Sequence, residues 1–477
     1  MLKVKRMRRS LIFFYAIICG VQFLIAQEGD HSDSINQYSI KAELGGIVTT
    51  TGEVPFWMLR NNSGRISEEN ANGLYQNLHF SGKNRLFKSF NIYSEAEFVA
   101  SQSQDGVYGS LIQGNASIQN RFLNLTLGLQ EEFFGFNDST LSVGNIVYGN
   151  NARPIPKISL ATNGWIKSPV LKKNLSFRAY LAHGWFEENR FQSGAYLHQK
   201  YFYLKADLIK NRLTLAAGLN HIAQWGGTNN DTGISQPTGL KNFFKIFIAA
   251  SGGEDAVITD QQNALGNHLG SYDFNVGYKF GTFSLNGYWQ FIFEDSSGLK
   301  PVKWRDGLYG LTIKADKFKI INRVNFEIVT TTSQDAVKDD GQGGTYLEPD
   351  NYMNNGIYAD GWTFNNRVLG NAMFLLLDPE IQGTRRVQNM LGGWSIGFAG
   401  ELYRTHYELK VTNFQNEGLI LAPQDPPYEL FSIDLKTSLR LNNGLDLGLW
   451  MNYQNDNFDQ GDNFGLFLTV AKKLWLN

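Results

Sequence analysis

The chain has 477 residues, 43 Lys and Arg against 44 Asp and Glu, a single cysteine, 49 glycines, and 34 Phe and 21 Tyr but only 11 prolines. The near-neutral balance argues against a nucleic-acid partner, which would call for a basic face. One cysteine excludes a disulfide-stapled fold.

The first 26 residues read as a leader. Lys3, Lys5, Arg6, Arg8 and Arg9 form a basic start, Leu11 to Ile25 an apolar run, and Ala26-Gln27 a cleavage point. Cleavage would remove five basic residues and no acidic one, leaving a net acidic chain, and would also remove Cys19. After the leader no run approaches the roughly 20 apolar residues of a membrane helix.

From there onward, strand signals dominate. In "FNIYSEAEFVA" Phe90, Ile92, Ser94, Ala96 and Phe98 share one face, and Asn91, Tyr93, Glu95 and Glu97 the other. Leu123, Leu125, Leu127 and Leu129 alternate with Asn124, Thr126, Gly128 and Gln130; Phe431, Ile433 and Leu435 alternate with Ser432, Asp434 and Lys436. Such a pattern fits either a soluble sandwich with its apolar face inward or a membrane barrel with its apolar face in lipid. Turn lengths favour the barrel. Gly281-Thr282 and Asn442-Asn443-Gly444 are tight, whereas other connections are long, and barrels have one short-turn rim and one long-loop rim.

With short turns on the periplasmic side, ascending strands are predicted near Tyr38, Phe90, Leu123, Leu175, Leu213, Phe283, Asn322, Arg404 and Leu445. Descending strands are predicted near Leu74, Leu111, Ile155, Gln199, Ser271, Leu308, Leu391, Leu430 and Asn463. The expected fold is all-β: a single antiparallel transmembrane barrel over 27–477, of about 18 strands, with long external loops and short helical segments closing the mouth. This parity requires Ser333 to about Asn389 to be one external excursion. The run "LKNFFKIFIAASGGED" (240–255) has helical apolar spacing and is expected to cap the mouth. Glu95, Glu97, Arg178, Lys205, Asp207, Arg323, Glu327, Asp434, Lys436 and Arg440 are expected to point inward as a mixed-charge lining that cross-pairs. "RPIP" at 153–156 should form a rigid entry into the sixth strand, where proline interrupts no ladder. There Arg153 either braces inward carboxylates, the preferred reading, or meets an acidic sugar.

No catalytic triad, metal-ligand or phosphate-loop spacing occurs. No enzyme activity, cofactor or metal is therefore expected. His221, beside Gln224 and Trp225, reads as a lumen or loop histidine. The loops are rich in groups that suit sugars: flat aromatic faces, amides and guanidinium forks. Asn267, His268 and Tyr272, Trp304 and Arg305, and Trp362 belong to this set. Taken singly, each also reads as an interfacial-girdle or loop-packing residue.

Five segments carry a family resemblance: "GNNARPIPKI" (149–158), "HIAQWGG" (221–227), "DQQNALGNHLGSYD" (260–273), "WRDGLYG" (304–310) and "NNGIY" (354–358). Together, in this order, the chain resembles the Wzi capsule-assembly family in its Bacteroidetes-type form. The resemblance implies an outer-membrane barrel of 18 strands with a plugged lumen, which holds capsular polysaccharide at the cell surface. Its partners would be that glycan, outer-membrane lipid and a polysaccharide export channel. The matching positions Asn151, Arg153, Pro154, His221, Gln224 and Trp225 would contact glycan or shape the barrel mouth. A pore for oligosaccharides or small solutes is the competing function. A hydrolase built on a lumenal carboxylate pair is the third.

Overall fold

The computed structural model describes residues 36–476, except 105, 169–173, 295–304, 335–336, 340, 348, 378–385 and 458–460. The proposed leader (1–26) and Trp304 lie outside the described residues.

Eighteen long strands close into one antiparallel barrel. They are β1 (Gln37–Thr49), β2 (Gly73–Phe87), β3 (Phe90–Ser103), β4 (Gly106–Gln119), β5 (Leu123–Leu129), β6 (Lys157–Thr162), β7 (Leu175–Trp185), β8 (Tyr196–Leu208) and β9 (Leu213–Trp225). The second half comprises β10 (Asn267–Phe280), β11 (Phe283–Phe293), β12 (Gly307–Ala315), β13 (Arg323–Thr330), β14 (Leu391–Leu402), β15 (Thr405–Leu419), β16 (Ala422–Arg440), β17 (Leu445–Asp456) and β18 (Asp462–Leu476). Closure comes from β1 pairing with β18, Tyr38 opposite Leu476 through Thr49 opposite Gly465. The expected strand count and alternation of directions hold.

Burial resolves the ambiguity that periodicity left open. On β13 Phe326 and Ile328 are exposed while Asn325 and Glu327 are buried. On β16 Phe431 and Ile433 are exposed while Ser432 and Asp434 are buried. On β5 Leu123, Leu125 and Leu127 face out and Thr126 faces in. A soluble sandwich has the opposite arrangement. Apolar side chains outside and polar ones inside mark a wall solvated by lipid.

The lumen contains a core of its own. Residues 130–156, between β5 and β6, fold into the barrel and meet a second inward segment, 351–377, from the long excursion between β13 and β14. Gly149 donates its backbone N–H to Leu369 (2.8 Å), and the Asn151 amide donates to the Val368 carbonyl (2.9 Å). Between these segments and the wall lie Trp57, Phe134, Ile146, Trp362, Phe374 and Phe414, all buried. A short helix, α1 (Phe56–Leu59), contributes Phe56 and Trp57 to this core and buries Met58 and Leu59 in a second cluster with Ile47, Tyr75 and Phe467.

Polar strand residues anchor the filling. Glu327 on β13 accepts from the Ser142 hydroxyl and the Val143 N–H, both at 2.7 Å, and from the Tyr288 hydroxyl at 2.6 Å. Gln290 on β11 accepts from the Ile146 N–H at 3.0 Å. Lys157, at the start of β6, pairs with Glu132, as does the Tyr180 hydroxyl. Of the expected cross-paired lining, Glu97, Glu327 and Arg323 meet partners on inserted loops, whereas Arg323 with Glu408, Asp434 with Asn452, and Arg440 with Asp446 pair from strand to strand. Below this filling, a cavity of about 800 Å³ opens to the short-turn rim, lined by Lys314, Arg323, Glu408 and Lys436.

Arg65, in the loop between β1 and β2, clamps filling to wall. Its guanidinium spans Glu97 on β3 (2.6 and 2.7 Å) and Glu131 on the inserted segment (2.6 and 2.8 Å). Burial alone would raise the Glu131 pKa, but the hydrogen bonds and charge of Arg65, with a Ser63 hydrogen bond, outweigh it and hold the carboxyl below its ordinary value. Replacement Arg65→Met leaves both carboxylates without their cation and is expected to destabilise the barrel by roughly 2–4 kcal/mol at neutral pH, read by denaturant unfolding in lipid vesicles. Because the folded Glu131 pKa is depressed, its contribution is complete above the ordinary value of 4.5 and is lost as pH falls through the lower folded value. The gap between native and variant should therefore narrow on acidification; a constant gap would contradict the clamp.

Candidate functional site

The long-loop rim, external in outer-membrane barrels, gathers most of the residues singled out from the sequence, but in three different places. The pleat explains the first division. In "HIAQWGG" alternate residues of β9 face opposite sides, so Gln224 points into the lumen while His221 and Trp225 point out. Gln224 is fully buried; its amide donates to the Gly361 carbonyl (2.9 Å) and its side-chain oxygen accepts from Asn267 (2.8 Å). Gly361 has φ +59°, and a Cβ there would lie 2.3 Å from the Met353 carbonyl oxygen. Arg190 holds the same turn, donating to Thr363 (2.7 Å) and Gly361 (3.1 Å) carbonyls.

Asn151, Pro154, Gln224, Asn267 and Trp362 are therefore built into the lumenal filling, Trp362 and Asn151 with no exposed surface. His221, Trp225 and His268 lie instead on the outer wall beneath a helix. That helix, α2 (Leu240–Ile248), does not cap the mouth as expected. Its Phe243 ring lies 5.4 Å from His198 and 6.0 Å from Trp225, both on outward-facing positions of β8 and β9. Tyr272 also faces outward and stacks on Phe291 at 6.2 Å between centroids, as an interfacial-girdle residue would. Arg305 is exposed on the loop before β12.

Arg153 of the original set lines an open rim pocket. The pocket has a volume of about 260 Å³ and lies between the β1–β2 loop, the external ends of β3 and β4, and the hairpin at 363–368. Arg65, Arg153 and Arg367 converge there with Glu69, Asn70, Asn365, Tyr108, Ser101 and Ser110. The Arg153 guanidinium donates to the Ser110 hydroxyl, and the carboxylate whose charge acts on it is Glu187. Gly64, with φ +75°, makes room, since a Cβ there would lie 2.4 Å from Arg153 Cγ. Arg367 donates to the Leu59 and Ile66 carbonyls and so is held by backbone.

Charges of both signs act around this pocket, and like charges meet at Arg367. Burial, and next the charge of Arg60, pull the Arg367 guanidinium down to about 10, against the attraction of Glu68 and Glu69. Burial likewise lowers Arg153 and Arg60. Arg60 lies over the Phe56 ring at 5.1 Å, and its buried Nε has no hydrogen-bond partner. Crowded, partly desolvated guanidiniums favour an incoming anion, because it relieves repulsion and completes forked hydrogen bonds. Arg60, Arg65 and Arg367 carried no sequence signal on their own. Arg65 and Arg367 meet Arg153, and Arg60 acts on Arg367, only through packing of segments distant in sequence.

Residues 46–375 match the family described as capsule assembly protein Wzi. The chain belongs to that family. Among solved structures, Wzi of Escherichia coli, an outer-membrane protein involved in group 1 capsule assembly and described as a carbohydrate-binding β-barrel, superposes with a TM-score of 0.59 at 15% identity, over 90% of this chain and 83% of that one. Two barrels of Pseudomonas aeruginosa are more distant, each at 10% identity. OccK2 (OpdF) in complex with glucuronate has a TM-score of 0.48 over 93% of this chain and 98% of that one, and OprD has 0.45 over 95% and 98%. No curated protein sequence matches the chain. This Wzi-family barrel is an outer-membrane protein by family and by fold.

Trp362 is the largest side chain locking segment 351–377. Trp362→Ala should cost about 3–5 kcal/mol of local stability. Hydrogen exchange at the amides of 361–369 should accelerate, with no change in the strands of the barrel wall; unchanged exchange would show that the segment is held otherwise.

Proposed function

We propose that this barrel binds exported capsular polysaccharide at its external rim and helps to keep the coat attached to the cell, without catalysing a reaction on it. The observation that carries this reading is the guanidinium pocket of Arg153 and Arg367. It combines the groups that acidic sugars need: forked cations for a carboxylate, amides and hydroxyls for ring hydroxyls, and the Tyr108 ring for an apolar sugar face. At about 260 Å³ the pocket suits one sugar unit rather than a long stretch of chain. A partner that delivers the glycan, such as an export channel, belongs to this reading.

The lumenal filling argues for attachment rather than bulk passage. A folded core within the barrel supports a closed lumen, and the purified protein should show no large steady conductance in planar bilayers. Large ohmic currents would instead favour the solute-pore reading.

Arg153→Gln should reduce retention on immobilised polygalacturonate by roughly 10- to 100-fold, the scale of one charge-assisted hydrogen bond lost, and leave retention on neutral dextran unchanged. Equal effects on both glycans would remove the acidic-sugar reading. In cells, deletion of the protein should release surface polysaccharide to the medium; a coat that stays fully attached would end the assembly role.

A further inference from the structure

On the outer wall, the lipid-facing series of each strand changes character towards the long-loop rim. Along β8 the outward positions run Leu204 and Phe202, 46% and 49% exposed, then Lys200 and His198. On β9 they run Leu215, Ala217 and Leu219, then His221. At that height α2 lies across the wall. Phe243 and Phe247 pack on His198 at 5.4 and 5.5 Å, Ile246 is fully buried, and Lys200 donates to the Phe247 carbonyl and sits 4.4 Å from its ring. Beneath the helix the His221 and His268 rings are joined by a 2.9 Å hydrogen bond.

The other face of α2 is uncovered. Leu240, Phe244 and Ile248, spaced by four residues and thus aligned on one stripe, are 72%, 59% and 70% exposed. Ile258, opening the following short helix α3 (Ile258–Gln262), is 72% exposed. In water this would be an unpartnered apolar patch. On the outside of a membrane barrel, immediately above its lipid-facing band, it continues an existing apolar interface. Lys200 marks the depth, since a lysine on the lipid face belongs at the headgroup level rather than among acyl chains.

We propose that Leu240–Ile248 is an interfacial anchor. Its Leu240, Phe244 and Ile248 stripe enters the headgroup–acyl boundary of the outer leaflet, and its inner face shields the histidine patch of the wall from lipid. The helix lies in the membrane plane as amphipathic interfacial helices do, and it fixes the height and rotation of the barrel relative to the bilayer. This placement is independent of glycan binding.

The only cysteine is Cys19, in the proposed leader, and Cys19→Ser in the labelled variants keeps single-cysteine spin labels free of interference. Phe244→Cys and Ile248→Cys are labelled in the mature protein in liposomes of phosphatidylethanolamine and phosphatidylglycerol. Phe202→Cys serves as the lipid-facing reference and Thr232→Cys as the aqueous-loop reference. At 244 and 248 collision with a water-soluble nickel chelate should fall several-fold below that at 232, with oxygen collision approaching that at 202. Nickel accessibility equal to that at 232 would overturn the anchor. Low collision with both reagents would also overturn it, because the stripe would then be covered by protein, such as a second copy of this chain.

Discussion

Hydrocarbon offers no hydrogen bonds, so every backbone N–H and C=O that crosses the membrane must be paired within the protein. Pairing of β1 with β18 satisfies that demand by leaving no open edge. Once the sheet is closed, its pleat gives each strand one face in lipid and one in the lumen. The interior face is then polar by necessity of contrast, and its side chains need partners that the opposite wall is too distant to supply. Inserted loops supply them. Glu327 receives Ser142 and Val143, Gln290 receives Ile146, and Glu97 receives Arg65.

That filling resembles the core of a soluble domain held inside a membrane barrel. Its apolar centre gathers Trp57, Phe134, Trp362 and Phe414 from four separate parts of the chain. The rim pocket depends on it. Arg153 leaves the inserted segment just before β6, Arg367 projects from the hairpin beside Trp362, and Arg65 ties the first external loop to both wall and filling. Electrostatic crowding of guanidiniums is stable here because each is fixed by hydroxyl, carbonyl or carboxylate partners that burial would otherwise leave unmet.

The barrel was legible in the sequence because period-two alternation and short turns are local properties. Strand starts predicted at Phe90, Leu123, Leu175, Leu213, Phe283, Leu391 and Leu445 coincide with the first strand residues observed. The site was legible only in part. Gln224, His221 and Trp225 form one motif in the chain but serve two sides of the wall, a division that follows from the pleat and is invisible in a list of conserved-looking chemistry. The helical spacing of 240–248 was clear, yet spacing does not say which surface a helix covers. Arg65 and Arg367 sit in loops without periodicity, and only long-range packing brings them to Arg153.

The pairing of Gly149 with Leu369 joins segments more than 200 residues apart in the chain. The inserted segment 130–156 is synthesised early, but its partners at 351–377 and on β13 to β15 arrive late. Until those partners are in place, the Ile146 carbonyl lacks the Asn371 N–H and the Gly149 N–H lacks its acceptor on Leu369. The interior is therefore complete only when both halves of the barrel sequence are in place. A barrel without segment 351–377 and β13 to β15 would hold an unfinished interior exposed to solvent. The same fold that hides its apolar centre in the mature protein makes that centre a marker of incomplete assembly.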